Sequence, residues 1–275
     1  MGQIQRAQRI YREGGLRGLA GAILHKAGMG RISPGPVAET PYLDWLTFAN
    51  AGMLDKGNID SMDYAIRNLP SAAPMIEIGS FCGLSTNVLT YLKEKRAARN
   101  RLITCDRWLF EGAANGEPLG DSTTVTHEEY RRFVKESFLR NVRLFSRYNL
   151  PFTVELFSDE FFESWARQEK RPDVFGREIE LGGPISFCYI DGNHSYEFAR
   201  RDFENCDQYL ECGGFVLFDD SADDWAFEVR RVIDEVKHTG RYDLIARNPN
   251  YLFQKISSPS TPERFPTATL DQKAA

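Results

Sequence analysis

Short apolar runs that alternate with longer helical segments constrain the fold of this chain more than any other feature of its sequence. The alternation begins after Pro70 and continues to about residue 254. Short apolar runs bounded by turn residues are typical of buried strands, and an intervening helix lets consecutive strands lie parallel. We predict seven strands, at 75–78, 102–105, 152–156, 185–190, 215–218, 242–246 and 251–254. The pattern therefore predicts an α/β fold with a mostly parallel sheet.

The predicted helices and the composition of the two ends indicate three parts in the chain. A helix is expected near 42–51, and another is expected to start at Asp60 as its N-cap and to end near residue 69. Between the strands we predict helices near 86–95, 128–146, 160–169, 196–209 and 225–239. The resulting division is a basic N-terminal helical arm with its linker at 1–41, the main domain at 42–256, and a mobile tail rich in Ser, Thr and Pro at 257–275.

The basic arm has two interpretations. Its apolar residues recur at helical spacing, which suits a helix that packs on its own domain or on a second subunit. The alternative is contact with an anionic membrane surface. We favour packing, and we expect a homo-oligomer.

Composition excludes several classes of protein. Of the 275 residues, 42% are hydrophobic and 27% are charged, which is the balance of a folded globular protein. The 39 acidic and 34 basic side chains leave a net charge of -5, which argues against a nucleic-acid partner. No apolar run approaches bilayer length, and the N-terminus lacks the zones of a signal peptide, so we expect a cytoplasmic protein with reduced cysteines.

A glycine-containing turn follows the first predicted strand. The segment Met75-Ile-Glu-Ile-Gly-Ser-Phe-Cys-Gly-Leu-Ser-Thr86 leads from an apolar run into a predicted helix. Such a turn lets a ligand approach the backbone, and helix N-terminal amides favour a negatively charged group. The spacing Gly-x-x-x-Gly is not the dinucleotide fingerprint, which weakens a nicotinamide or flavin interpretation. The candidate cofactor-binding residues here are Glu77, Gly79, Ser80, Gly83 and Ser85; the alternative is a tight turn for packing.

Two further strand ends carry polar residues that suit a nucleoside. Asp106 ends the second predicted strand, where a carboxylate can accept hydrogen bonds from ribose hydroxyls. Ser158 and Asp159 follow the third predicted strand at the same edge of the sheet. Each of these residues could instead cap a turn or a helix.

Three acids follow two neighbouring strands. Asp191 comes directly after the run at 185–190, and Asp219 and Asp220 come directly after the run at 215–218. Adjacent strands lie about 4.8 Å apart, so these carboxylates should converge at one edge of the sheet. Their mutual repulsion would be relieved by a divalent cation, and oxygen ligands suit magnesium best in a cytosolic site. Capping of the next helix is the alternative for Asp219 and Asp220.

His194 lies three residues after Asp191, close enough to face the same pocket. An imidazole can take up a proton near neutral pH, so His194 is the candidate general base. A histidine in a satisfied hydrogen bond at a helix start is the alternative.

Together these segments resemble the class I S-adenosylmethionine-dependent methyltransferases over roughly residues 75–254. Within that superfamily they are similar to metal-dependent O-methyltransferases that act on sugar hydroxyls of natural products, and more distantly to the catechol type, in which an Asn is usual where Asp220 stands. The resemblance implies a Rossmann-like seven-stranded sheet of order 3-2-1-4-5-7-6, with helices on both faces and the final strand antiparallel. It also implies that Asp106 holds the ribose, that Ser158 or Asp159 lies on the adenine side, and that Gly79, Ser80 and Gly83 lie at the methionine end.

The implied function is transfer of a methyl group from S-adenosylmethionine to a hydroxyl of a small molecule, assisted by Mg²⁺ at Asp191, Asp219 and Asp220. A cation that binds two acceptor oxygens requires neighbouring hydroxyls, as in a sugar diol or a catechol. Two alternatives stay open: a metal-dependent oxygenase or hydrolase that uses the same residues, and a non-catalytic binding protein with this fold.

Overall fold

A central sheet of seven strands carries every candidate site residue at or beside one of its edges. The computed structural model describes residues 40–258, except 111–112, 114–115 and 224–226. The strands are β1 (Met75–Ile78), β2 (Leu102–Cys105), β3 (Phe152–Val154), β6 (Ile185–Ile190), β7 (Leu210–Phe218), β8 (Tyr242–Arg247) and β9 (Tyr251–Lys255). Their order in the sheet is β3-β2-β1-β6-β7-β9-β8, and β9 runs opposite to the other six.

Two short strands, β4 (Lys170–Pro172) and β5 (Glu178–Glu180), form a separate antiparallel hairpin. When this hairpin is left out, the main sheet has the order 3-2-1-4-5-7-6, so the predicted fold class is confirmed. The hairpin was not predicted, because its three-residue strands are mostly charged and exposed and give no apolar run.

Helices cover both faces of the sheet, as predicted. One layer of side chains includes Ile76, Phe161 and Val232, and the opposite layer includes Met75 and Leu89. Successive residues of β1 therefore point to opposite faces, and both faces are buried, which explains why β1 is apolar apart from Glu77. The helices are Pro41–Ala49, Lys56–Arg67, Leu84–Lys95, His127–Phe145, Ser158–Ala166, Tyr196–Tyr209 and Val229–His238.

The prediction that Asp60 caps a helix is wrong. The helix begins at Lys56, so Asp60 lies inside it, where its carboxylate accepts a hydrogen bond from Asn248 Nδ2 at 3.2 Å. An early start is possible because Gly57 lets the backbone meet the turn at 248–250: a Cβ there would lie 1.6 Å from the Asn248 carbonyl oxygen. Asp60 is nearly buried and is satisfied by a tertiary contact instead of a helix end.

The predicted N-terminal arm and C-terminal tail fall outside the described residues, apart from their edges. Within the described part, no helix combines the length and apolar character needed to cross a bilayer. All five cysteines are free, and Cys212 is the exposed one. The prediction of reduced cysteines agrees with this arrangement.

Candidate active site

The carboxyl ends of β6 and β7 bring the predicted acids together. The amide of Asp219 donates to the carbonyl of Ile190 at 2.9 Å, and the amide of Asp191 donates to the carbonyl of Ile78 at the same distance. These bonds continue the parallel ladder one residue beyond the strands, so the first polar residue after each strand lies level with its neighbour. This register explains why residues 28 apart in the chain share one edge.

Asp191, His194 and Asp220 form a compact polar group at this edge. One ligand atom from each lies within 4.8 Å of the others, and each residue is partly exposed. His194 Nδ1 is 2.6 Å from Asp220 Oδ2, while Nε2 is 4.0 Å from Asp191 Oδ1. The edge of the Phe227 ring packs against the imidazole at a centroid distance of 4.9 Å. The imidazole is therefore oriented by a carboxylate through one nitrogen and faces a second carboxylate with the other.

Asp219 has a different environment from the other two acids. It is nearly buried, and its Oδ1 accepts hydrogen bonds from Asn58 Nδ2 and Asn250 Nδ2, both at 2.6 Å. Neither asparagine was identified from the sequence, because each is a single amide far from Asp219 in the chain. A buried carboxylate needs donors, which was the one general signal available.

Burial and mutual repulsion disfavour the ionised forms of these acids. The pKa of Asp191 is raised well above its ordinary value, first by burial and then by the charge of Asp219. The pKa of Asp219 is raised to about 6 by burial and by the charge of Asp220. Three close carboxylates at a partly open edge are a donor set that fits Mg²⁺, because a divalent cation removes this repulsion.

The glycine turn lies directly against this group. Gly79 has a φ of +82°, and a Cβ on it would lie 2.0 Å from the carbonyl oxygen of Asp191. Gly83 has a φ of +89° and precedes the helix Leu84–Lys95, and its Cβ would lie 3.0 Å from the side chain of Val142. Both glycines are thus required by tight packing and a left-handed backbone. The backbone of Gly79 is therefore in direct contact with the backbone of Asp191.

Asp106 fixes the shape of the turn. Its Oδ2 accepts hydrogen bonds from the amides of Ser80 and Phe81 at 2.8 and 2.9 Å, and its Oδ1 accepts one from the amide of Trp108 at 2.5 Å. The indole of Trp108 is buried and donates to the carbonyl of Phe81 at 2.9 Å. A carboxylate can accept about four hydrogen bonds, so Asp106 keeps capacity for a ribose hydroxyl.

Glu77 lies beneath the turn and is fully buried. Its Oε2 accepts a hydrogen bond from Thr86 Oγ1 at 2.5 Å, whereas its Oε1 has no hydrogen-bond partner. Burial raises the pKa of Glu77 to about 7, against hydrogen bonds from Ser85 and Thr86 that lower it. An unpaired buried acceptor beside the turn fits a ligand with a donor group, such as the ammonium of S-adenosylmethionine.

Ser158 and Asp159 contact side chains of the helix Tyr196–Tyr209. The Asp159 carboxylate pairs with Arg201 at 3.1 Å and accepts a hydrogen bond from Asn205 at 3.2 Å. The Ser158 hydroxyl hydrogen-bonds to Asp202, whose pKa is raised to about 7 by burial. These contacts join the helices Ser158–Ala166 and Tyr196–Tyr209, so both residues have structural partners, and an adenine contact stays a prediction.

Comparison with known proteins identifies the family. Residues 76–221 match a family model described as a methyltransferase domain. The chain belongs to this methyltransferase family. The match spans the glycine turn, Asp106 and the acids after β6 and β7, and the recognition of a class I S-adenosylmethionine-dependent methyltransferase is confirmed. No curated protein matches the sequence.

Solved structures resemble this methyltransferase at low identity. Cofactor-bound Rv0187 from MTB is 14% identical, with 80% of this chain and 91% of that chain covered and a TM-score of 0.50. The O-methyltransferase TomG from Streptomyces achromogenes, in complex with SAM, is 14% identical, with 80% and 92% covered and a TM-score of 0.48. The O-methyltransferase from Bacillus cereus, in complex with SAH, is 14% identical, with 86% and 97% covered and a TM-score of 0.46. At this identity the likeness to Rv0187 supports the fold alone.

Proposed function

We propose that this methyltransferase transfers a methyl group to a hydroxyl oxygen of a small molecule, and that Mg²⁺ assists the reaction. The observation that carries the proposal is the convergence of Asp191, His194 and Asp220 within 4.8 Å, with Asp191 packed against the glycine turn. A hydroxyl is a poor nucleophile until it loses its proton, so this chemistry needs a base and a stabiliser of negative charge next to the methyl donor.

The methyl donor is held, in this proposal, by the turn and by Glu77 and Asp106. Bound S-adenosylmethionine supplies an electrophilic methyl group on a sulfonium, which leaves as a neutral thioether. The unpaired Oε1 of Glu77 supports an ammonium contact, and the remaining capacity of Asp106 supports a ribose contact. Ser80, Gly83 and Ser85 would line the methionine end, and Ser158 or Asp159 the adenine side.

His194 is the proposed base. With its proton on Nδ1, the imidazole donates to Asp220 and leaves the Nε2 lone pair for the acceptor proton. The carboxylate fixes the ring and stabilises the imidazolium that forms. The side chain of His194 is 34% exposed and that of Asp191 is 25% exposed, so an acceptor can reach both from solvent.

Asp191, Asp219 and Asp220 are the residues that would hold Mg²⁺. When bound, the ion supplies Lewis acidity that lowers the pKa of an acceptor hydroxyl. Because adjacent oxygens can share one ion, the favoured acceptor is a vicinal diol of a sugar or of a glycosylated natural product. A phenolic catechol has the same pair of oxygens and is the second acceptor class.

The deciding experiment supplies the purified enzyme with S-adenosylmethionine, Mg²⁺ and a panel of glycosides and catechols, and searches by mass spectrometry for products heavier by one methylene group. We expect methylation within one acceptor class, loss of turnover with EDTA, and recovery when Mg²⁺ is restored. Full turnover in EDTA would contradict the metal role. Tight binding of S-adenosylhomocysteine in calorimetry would argue against an oxygenase or hydrolase, whereas methylation by a His194→Ala variant at the wild-type rate would remove His194 as the base.

A further inference from the structure

Two asparagines from opposite ends of the domain meet at one oxygen of Asp219. Asn58 lies in the helix Lys56–Arg67, and Asn250 precedes β9. We propose that Asn58 and Asn250 are positioning residues that fix the Asp219 carboxylate so that its other oxygen faces the divalent cation. The inference rests on the proposed function, because it assumes that a cation binds at this edge of the sheet.

The hydrogen-bond geometry selects which oxygen is available. Both amide nitrogens lie 2.6 Å from Asp219 Oδ1. A carboxylate oxygen has two lone pairs, so these two donors occupy Oδ1 completely. Rotation of the carboxylate would break both bonds at once. The carboxylate also hydrogen-bonds to the Asp191 side chain and the Asp220 amide. With Oδ1 occupied, Oδ2 is therefore the oxygen that faces the other two acids and would face a cation.

Asn250 is itself held in the orientation that this role requires. Its Oδ1 accepts a hydrogen bond from the amide of Ser221 at 2.9 Å, which leaves only the Nδ2 group to face Asp219. The Ser221 hydroxyl in turn donates to the carbonyl of Phe218 and accepts from the amide of Tyr251, both at 2.9 Å. These bonds tie the amide of Asn250 to the ends of β7 and β9.

Asn58 shows a different kind of evidence. It is fully buried, and its Oδ1 has no hydrogen-bond partner. A buried unpaired carbonyl is unfavourable, and this site retains it together with the short Nδ2 contact to Asp219. At Gly57, directly before Asn58, the backbone of the same helix lies against the backbone of Asn248. This contact fixes the distance between Asn58 and the strand ends.

Neutral donors suit this task better than charged ones. An amide holds an ionised carboxylate without cancelling the charge that attracts a cation, whereas a lysine or arginine in the same place would compete with the ion. Partners that orient the ligands of a metal commonly change its affinity by about 10–100-fold when they are mutated. We expect effects of that size here.

The test measures binding of Mn²⁺ alone, by the electron paramagnetic resonance signal of the free ion, to the full chain without acceptor. Asn58→Leu and Asn250→Leu should each weaken Mn²⁺ binding by about 10–100-fold. Asn100→Leu is the matched control, because Asn100 is also buried but its amide donates to the carbonyls of Ser71 and Ala73, before β1. Serine variants at the two positions replace any leucine variant whose circular dichroism shows misfolding.

A second arm separates positioning from general damage. In an Asp219→Ala background, the leucine changes should cause no further loss of Mn²⁺ affinity, because the side-chain oxygens through which they act are gone. A further loss there, or a loss in Asn100→Leu as large as in the other two, would overturn the inference. If the wild type binds Mn²⁺ and the two asparagine variants bind it equally well, only this inference fails. If the wild type binds no Mn²⁺, the metal role in the proposed function fails as well.

Discussion

Glu77 should show a conflict between stability and cofactor binding. Its burial raises its pKa from an ordinary value of 4.5 to about 7. A pKa difference of one corresponds to about 1.4 kcal/mol, so the ionised side chain costs the folded protein about 3 kcal/mol at pH 8. Glu77→Gln removes that charge while it keeps the size of the side chain and an oxygen for Thr86. The variant should be more stable than the wild type when no cofactor is bound.

The sign of the pH dependence follows from the direction of the shift. Because the folded-state pKa lies above the unfolded value, the folded wild type binds more protons between pH 4.5 and about 7, and its stability falls as the pH rises through that window. The variant lacks this contribution. Its stability relative to the wild type should therefore increase by about 2–3 kcal/mol between pH 5 and pH 8.

The assay is urea denaturation of both proteins at pH 5 and pH 8 without cofactor, with the exposed Glu136→Gln as control. Calorimetry with S-adenosylhomocysteine tests the predicted effect on cofactor binding. The variant should bind this ligand about 10–100-fold more weakly, because it loses a charged acceptor for the ammonium group. If the free energy of unfolding of Glu77→Gln and of the wild type depended equally on pH, the assignment of a buried carboxylate with a raised pKa would be refuted. Unchanged cofactor affinity would refute the ammonium contact.

Three further predictions test other parts of the molecule. His194→Gln should lower kcat by about 10²–10⁴-fold with unchanged affinity for S-adenosylhomocysteine, and a loss of affinity equal to the loss in rate would contradict its role as a base. Gly79→Ala should lower the free energy of unfolding, measured by urea denaturation, by about 1–3 kcal/mol or more, because φ is +82° and the new Cβ would lie 2.0 Å from the Asp191 carbonyl oxygen. A free energy of unfolding close to that of the wild type would disprove this packing. In the native protein, Cys212 alone should react with a thiol reagent, and all five cysteines should react after unfolding. Rapid labelling of a second thiol in the native protein, detected by peptide mapping, would contradict the burial of the other four.

The sheet could be predicted in detail because its strands are buried on both faces. For β1, β2 and β6 the predicted bounds match the structure at both ends, since each apolar run is closed by a polar or glycine residue. The helix around Asp60 was placed too late, because its true start depends on a contact between Gly57 and Asn248. That contact joins segments almost two hundred residues apart, and no local pattern records it.

In the candidate site, too, some contacts could be predicted from the sequence and others could not. The convergence of Asp191 and His194 with the pair Asp219 and Asp220 could be predicted, because parallel strands end at a common edge and these acids follow two neighbouring strands. The structure groups Asp220, and not Asp219, most closely with Asp191 and His194. Asn58 and Asn250 could not be predicted, because a single amide in a helix or a turn has no characteristic spacing. For Asp106, capping of a turn was the stated alternative, and the structure shows this contact; that the amides belong to the glycine turn depends on the final path of the chain after β2.

The meeting of Asn58 and Asn250 at Asp219 has a consequence for the synthesis of the protein. One asparagine belongs to the first part of the described chain and the other to its last hairpin, so a chain still on the ribosome lacks one of the two asparagine contacts to that carboxylate until residue 250 has emerged. A molecule truncated before residue 250 would carry the glycine turn and all three acids, but not the Asn250 amide that holds Asp219. The final arrangement of the Asp219 carboxylate is thereby coupled to completion of the domain.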